Sequence, residues 1–174
     1  MYLRECFSLD TATGVLYWRT RPMMHFGSAT AALSWNTRFA GSEVGFKRAD
    51  GRIGVKVSYA GVKSAVLAHR IVWALVHGED AAFEIDHING MPSDNRPGNL
   101  RLATRYQNTQ NRPGARGRTL PKGVYPHGAG YRVIVTAFGN RCDLGVYGTV
   151  ETARAAWESA ARAAHGDFFR EVAA

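Results

Sequence analysis

The cleanest alternation of apolar and polar positions runs from Arg52 to Tyr59, with Ile53, Val55, Val57 and Tyr59 on one side and Arg52, Lys56 and Ser58 on the other. A period of two over that length predicts a half-buried strand. Ala60-Gly61 then turns the chain into a second apolar run, Val62–Leu67. Upstream, Thr11-Ala12-Thr13 reads as a turn and Gly14–Trp18 as a short strand, whereas residues 20–42 show no clean period and are expected to form a long loop. At Ala68 the period lengthens to that of a helix, which Gly78 closes after His77. Phe83–Ile88 and Leu100–Ala103 return to strand. Between them, Asn89 to Asn99 is dense in Asn, Gly, Pro, Ser and Asp, the residues that make turns. A further helix starts after Thr104, which has Gln107 three residues on, the spacing of a capping box.

Residues 112–122 break the pattern. Arg112, Arg116, Arg118 and Lys122 stand among Pro and Gly with no acid, a composition that cannot bury a core and can follow a phosphate backbone. Val124–His127, Tyr131–Phe138 and Cys142–Tyr147 then read as three strands. Thr149 caps a last helix with Ala153, Trp157, Ala160, Ala161 and Ala164 on one stripe, small enough to lie close to a sheet. The expected class is α+β. A β-rich leader spans 1–68 and a strand–loop–strand–helix core 69–111. A basic linker over 112–121 leads to a three-stranded antiparallel sheet backed by one helix over 122–170.

The 174 residues suit one medium domain or two small ones. No apolar run approaches the ~20 residues that span a bilayer. Arg4, Glu5 and Asp10 interrupt the stretch a signal peptide would need, so a cytoplasmic location without membrane attachment is expected. Cys6 and Cys142 are too few for a four-cysteine zinc site and read as free thiols. The net charge of +8 changes the picture more. Only Lys47, Lys56, Lys63 and Lys122 are lysines, so arginine supplies 18 of the 22 basic residues. From Arg96 onward 12 basic residues face 5 acidic ones, which places +7 of the excess in the second half. Arginine is the better donor to phosphate oxygens and guanine edges, and a nucleic-acid partner is expected.

The candidate chemistry lies in Glu84-Ile85-Asp86-His87-Ile88-Asn89-Gly90 together with Asn99 and Asn108. Phosphodiester cleavage needs an activated water, neutralisation of the charge building on the phosphate, and stabilisation of the leaving oxygen. A neutral imidazole suits the first task, and a hard divalent ion on one or two protein oxygens suits the others. Asp86 and His87 leave a strand end, and Asn108 lies one turn into the capped helix, where packing on the strands would bring its oxygen towards Asp86. Asn99 opens the second strand, where its amide can bond backbone on both sides of the loop. His69, Trp73 and His77 share one helix face, either as a pair of metal-binding histidines or as packing.

Residues 69–111, with Asp-His-Ile-Asn-Gly, Asp-Asn-Arg-Pro-Gly-Asn-Leu-Arg and Gln-Asn-Thr-Gln-Asn, resemble the HNH (ββα-metal) endonucleases of phages and mobile introns. The resemblance implies His87 as general base, Asp86 and Asn108 as ligands of one divalent ion (Mg²⁺ or Mn²⁺), and Asn99 as a structural amide. It also implies products with 5′-phosphate and 3′-hydroxyl ends. The cysteine pairs of the zinc-stapled members are absent, so no structural zinc is expected. Residues 122–170 resemble the apetala-two/ethylene-response-factor DNA-binding domain through Gly123-Val124, Tyr131-Arg132-Val133, Leu144-Gly145-Val146-Tyr147, Thr149 and His165-Gly166. That resemblance implies a sheet face in the major groove, with Tyr131 where the plant domains usually carry Trp. Arg96, Arg101, Arg105, Arg112, Arg116, Arg118, Lys122, Arg132 and Arg141 are the candidate contacts to duplex DNA. The expected activity is that of an endonuclease or nickase, acting as a monomer or homodimer. The alternative is a DNA-binding regulator that keeps both folds without hydrolysis.

Overall fold

The chain enters through a five-residue helix, α1 (Tyr2–Cys6), and runs directly into β1 (Phe7–Asp10). A computed structural model describes residues 2–59, 62–110 and 119–169. It divides into two units, Met1–Leu102 and Ala103–Ala174. In the first, β1 pairs antiparallel with β2 (Val15–Trp18), from Phe7 opposite Trp18 to Asp10 opposite Val15. The turn between them is fixed by the Asp10 carboxylate, which accepts from the Ala12 N–H at 2.9 Å and the Thr13 hydroxyl at 2.8 Å.

Residues 20–42 are not the long loop that their lack of period predicts. They hold a 3-10 turn at Met23–His25 and an eleven-residue helix, α2 (Ala29–Phe39). Ser28 caps α2, its hydroxyl accepting from the Ala31 N–H at 3.2 Å. The reason for the error is physical. Ala32 is the one fully buried residue of α2, so no apolar stripe marks it. The helix is held instead by rings: Trp35 packs on Trp18 at 5.0 Å, on Phe26 at 5.6 Å and on Phe39 at 5.2 Å. The β-rich leader thus carries a helix among its strands.

β3 (Phe46–Lys47), β4 (Ile53–Tyr59) and β5 (Val62–Leu67) form an antiparallel sheet in that order, with Gly54 opposite Leu67 and Lys56 opposite Ala65. β5 leads into α3 (Ala68–His77), which buries Ala68, His69, Ile71 and Val72 and ends at Gly78. β6 (Glu84–His87) and β7 (Leu100–Ala103) pair as a two-stranded sheet. The core of this unit gathers Phe7, Leu16, Val55, Ile71, Val72, Ile85 and Leu100.

The second unit begins with α4 (Arg105–Gln110), where the capping box is formed: Thr104 N–H donates to Gln107 Oε1 at 2.8 Å, and Gln107 N–H to the Thr104 hydroxyl at 3.2 Å. Residues 112–118 of the expected linker, with Arg112, Arg116 and Arg118, lie outside the described residues, as does residue 111. β8 (Val124–His127), β9 (Gly130–Ala137) and β10 (Asn140–Tyr147) form a three-stranded antiparallel sheet with β9 central. α5 (Val150–His165) backs it, burying Ala153, Trp157 and Ala161 against Val124, Val133 and Val135. The class is α+β, with this sheet and its helix at the C-terminal end. Tyr106 donates to the Thr136 carbonyl at 3.1 Å and Lys122 to the Gln110 carbonyl at 3.0 Å, which ties α4 to the sheet that follows it. Among the described residues no helix is long and apolar enough to cross a membrane.

Gly123 (φ +78°) lets the Trp157 indole lie flat on the main chain; a Cβ there would fall inside the ring and against the Ile134 carbonyl. Gly123→Ala is expected to lower stability by about 2–4 kcal/mol, combining left-handed strain with overpacking. Chemical denaturation of wild type and variant checks this, and an unchanged midpoint would show that this close approach does not seat α5.

Candidate active site

β6 is short and dips into the core, so that Ile85, Asp86 and His87 are all buried. Successive residues of a strand point to opposite faces. Asp86 (4 % exposed) and His87 (7 %) thus enter different surroundings from adjacent positions. Across the β6–β7 pairing, Arg101 places Nε at 2.9 Å and Nη2 at 2.7 Å from Asp86 Oδ2. A carboxylate this deep needs a cation or hydrogen-bond donors, and Arg101 supplies both.

His87 Nε2 lies 3.2 Å from Asn95 Oδ1. An amide oxygen only accepts, so with this amide orientation the neutral ring carries its proton on Nε2 and its basic lone pair on Nδ1. His69 from α3 meets the His87 ring edge to face, with centroids 5.1 Å apart. Burial holds His69 neutral, its pKa pushed down to about 3, with the neighbouring His87, Arg52 and Arg70 adding to the effect. Burial also lowers His87, outweighing the Asn95 hydrogen bond and the Asp86 charge that work the other way.

The loop from Asn89 to Asn99 is braced from within. Asn99 accepts the Asn89 N–H at 3.0 Å on Oδ1 and donates through Nδ2 to the Asp94 carbonyl at 2.8 Å and to Asn89 Oδ1 at 3.0 Å. The Ile88 N–H donates to the Asn99 carbonyl at 2.9 Å, joining the end of β6 to the start of β7. Arg96 grips Asp94 through Nε at 2.8 Å and Nη2 at 2.6 Å, holding that carboxyl well below its usual range. The β1–β2 turn supports the same loop from outside: a Cβ on Gly14 (φ +76°) would overlap the Asn95 and Arg96 main chain.

Asp86, His87 and Asn99 thus come together in the first unit. Asn108 belongs to the second, on α4, with its N–H bonded to the Thr104 carbonyl at 3.0 Å. Several residues expected on charge alone to meet DNA already have acidic partners: Arg96 with Asp94, Arg101 with Asp86, and Arg132 with Asp143. Arg105 and Arg141 are exposed, and Lys122 lies 5.8 Å from the Trp157 ring. The shared face of α3 splits: His77 stacks on Trp73 at 3.9 Å, while His69 turns to His87. Asn95 and His69 are the neighbours of His87 that sequence reasoning did not assign. The Asp94-Asn95-Arg96 run was a visible signal for Asn95, whereas nothing local marks His69 as facing His87. Among the described residues, no three or more His, Cys, Asp or Glu gather as a candidate metal centre.

The first unit thus presents a braced strand–loop–strand with a buried imidazole fixed beside a buried carboxylate. Residues 66–110, about a quarter of the chain, match the family model described as HNH endonuclease. A solved structure described as "DNA binding and cleavage by the HNH homing endonuclease I-HmuI" is similar at 21% identity, with a TM-score of 0.40. That similarity covers 61% of this chain and 51% of the other, so the chain spans about half the length of that protein. No curated protein matches the chain.

The lowered pKa of His69 carries a pH signature. The unfolded chain binds a proton at this residue near pH 6.5 and the folded chain only near 3. Between those values the unfolded state holds more protons, so stability rises with pH and falls on acidification. The melting temperature is expected to drop from pH 7 to pH 4.5, above the range where most carboxylates titrate. His69→Gln should flatten that slope, and equal slopes for the two proteins would show that His69 is not the group responsible.

Proposed function

We propose that the chain is a metal-dependent HNH endonuclease or nickase, of homing or phage type, that hydrolyses phosphodiester bonds in duplex DNA. The observation that carries this reading is His87: a neutral imidazole beside Asp86, with its ring fixed by Asn95, inside the segment that matches the HNH endonuclease model. Nδ1 takes the proton of the attacking water, and Asn95 keeps the ring in the orientation and tautomer for that task. Asn99 holds the loop and does not touch substrate. The donors proposed for the ion, the carboxylate of Asp86 and the amide oxygen of Asn108, are hard oxygens that suit Mg²⁺ or Mn²⁺. A divalent ion bound there would neutralise the phosphate and stabilise the leaving oxygen. Arg101 then screens the carboxylate and sets its position.

Affinity is assigned to the basic second half. The outer face of its sheet carries Tyr125 and Arg141, both exposed, beside Arg132 in its pair with Asp143, which supports an apetala-two-like approach to a DNA groove. One centre cuts one strand, so double-strand cleavage by this chain calls for a homodimer or two events. A non-catalytic DNA-binding protein is the second reading. It is favoured by one observation, the hold of Arg101 on Asp86 Oδ2.

Plasmid nicking in Mg²⁺ separates the two. His87→Ala should slow nicking by the ~10²–10⁴ typical of general-base loss while DNA affinity changes little. Asn95→Ala should give a smaller loss by releasing the ring. Wild-type rates for His87→Ala would end the general-base assignment.

Loss of either proposed ligand tests the ion. Asp86→Ala and Asn108→Ala are each expected to abolish Mg²⁺-dependent nicking, with partial activity in Asn108→His because imidazole also ligates. Chelator should stop cleavage and leave the melting temperature in place. A chain that melts early in chelator would instead hold a structural metal.

A further inference from the structure

Arg21 is 6 % exposed, yet among the described residues no carboxylate comes within ion-pairing distance of it. Its guanidinium is held by a hydroxyl, a carbonyl and a ring nitrogen. Nη2 donates to the Tyr2 hydroxyl at 2.8 Å and to the Ser58 carbonyl at 3.3 Å, and Nε faces His25 Nδ1 at 3.4 Å. Rings surround it: Trp35 at 4.9 Å, Phe26 at 5.0 Å, Tyr2 at 5.7 Å and Trp18 at 5.8 Å from the guanidinium carbon. The nearby carboxylate, Glu5, is spent on the far side of the imidazole, 2.7 Å from His25 Nε2. The Arg21 main chain is clamped on both sides by Asn36, which accepts its N–H and donates to its carbonyl, each at 2.9 Å. Burying a cation without a counter-charge is costly, and so much structure devoted to keeping it there points to an anion that arrives later.

The space for that anion is present. Arg21 lines a cavity of about 580 Å³ together with Trp18, Trp35, Lys56 and Lys63. The β4–β5 register explains why the two lysines meet there: Lys63 stands opposite Ser58, whose carbonyl Arg21 holds, and Lys56 lies two residues before Ser58 on the same face. Three positive charges converge on one hollow, and none has a carboxylate partner among the described residues. The indole walls decide what kind of anion fits. Aromatic faces beside cations accept a base by stacking while the cations take its phosphate. A cavity of this size lies in the ordinary range for small-ligand sites, ~300–1,000 Å³.

We propose that this hollow binds one nucleotide of a nucleic-acid strand, its phosphate on Arg21, Lys56 and Lys63 and its base against Trp18 and Trp35. The inference deepens the nuclease reading and rests on it for the source of the nucleotide, an unpaired or extruded position of the DNA substrate.

Binding by the full-length chain is measured in chelator, so that no chemistry intervenes. The probes are a short labelled oligothymidylate, an abasic oligomer of the same length, and polyglutamate. The oligothymidylate is expected to bind about tenfold tighter than the abasic strand, the difference that stacking of one base supplies. The exposed pair Lys56→Ala/Lys63→Ala, which leaves the buried Arg21 in place, should weaken oligothymidylate binding about tenfold. It should also make the salt slope shallower by about 1.4, at ~0.7 for each single-strand phosphate contact. Trp35→Leu should reduce the advantage of thymidylate over the abasic strand. Unchanged affinity in the double-lysine variant overturns the site. Equal binding of the abasic strand, or of polyglutamate, overturns the nucleotide in favour of a surface that reads charge alone. Plasmid nicking by the wild-type chain is scored separately. A chain that binds oligothymidylate in this way but never nicks loses the nuclease reading and keeps the pocket.

Discussion

Two ionisable side chains sit next to each other at the end of β6, both out of water. Asp86 meets a guanidinium there and burial disfavours the charged form of His87, and the surrounding elements are arranged around both. Arg101 answers the first from the neighbouring strand, with two donors on one carboxylate oxygen. The second is answered by burial, which outweighs the opposing pull of the Asn95 hydrogen bond, while Asn95 and the edge of His69 fix the ring. None of these partners is local to Asp86 and His87. They come from α3, from β7 and from the Asn89–Asn99 loop, so the site exists only when the first unit is folded.

The loop that carries Asn95 has no core of its own and is held by polar bonds. Asn99 spans it from one side to the other, Arg96 and Asn89 meet on Asp94, and the β1–β2 turn lies against its main chain at Gly14. A polar network whose members are bonded to one another is a rigid support for the side chains it carries. The N-terminal hairpin reaches the same loop directly, through the close approach of Gly14 to the Asn95 and Arg96 main chain.

Charge tells a different story once partners are known. The composition places a basic excess after Arg96, and the structure then removes three arginines from the pool of free cations by pairing Arg96, Arg101 and Arg132 with acids. Before Arg96, where the composition is near balance, Arg21, Lys56 and Lys63 converge without an acidic partner among the described residues. Net charge by half-chain is a guide to long-range attraction, whereas a binding site depends on which charges are left uncompensated at one place.

What the sequence determined by itself were the features set by near neighbours in the chain. The alternation of Ile53–Tyr59 gives β4, the period from Ala68 with Gly78 gives α3, Leu100–Ala103 gives β7, and the Thr104–Gln107 and Thr149 caps start α4 and α5. The Asp-His pair and the turn-rich loop marked the candidate site for the same reason, since strand end and loop follow one another along the chain. Tertiary structure decided everything that depends on contacts between distant residues. It made a helix of Ala29–Phe39, whose stability comes from rings on Trp18 and Phe26 rather than from a stripe. It divided His69 from His77, and it chose Asn95 as the partner of His87 and Arg101 as the partner of Asp86. Periodicity and capping are short-range consequences of backbone geometry and can be read in one dimension. The pairing of a buried charge is fixed by whichever donor packing brings within 3 Å, and only the folded chain specifies that.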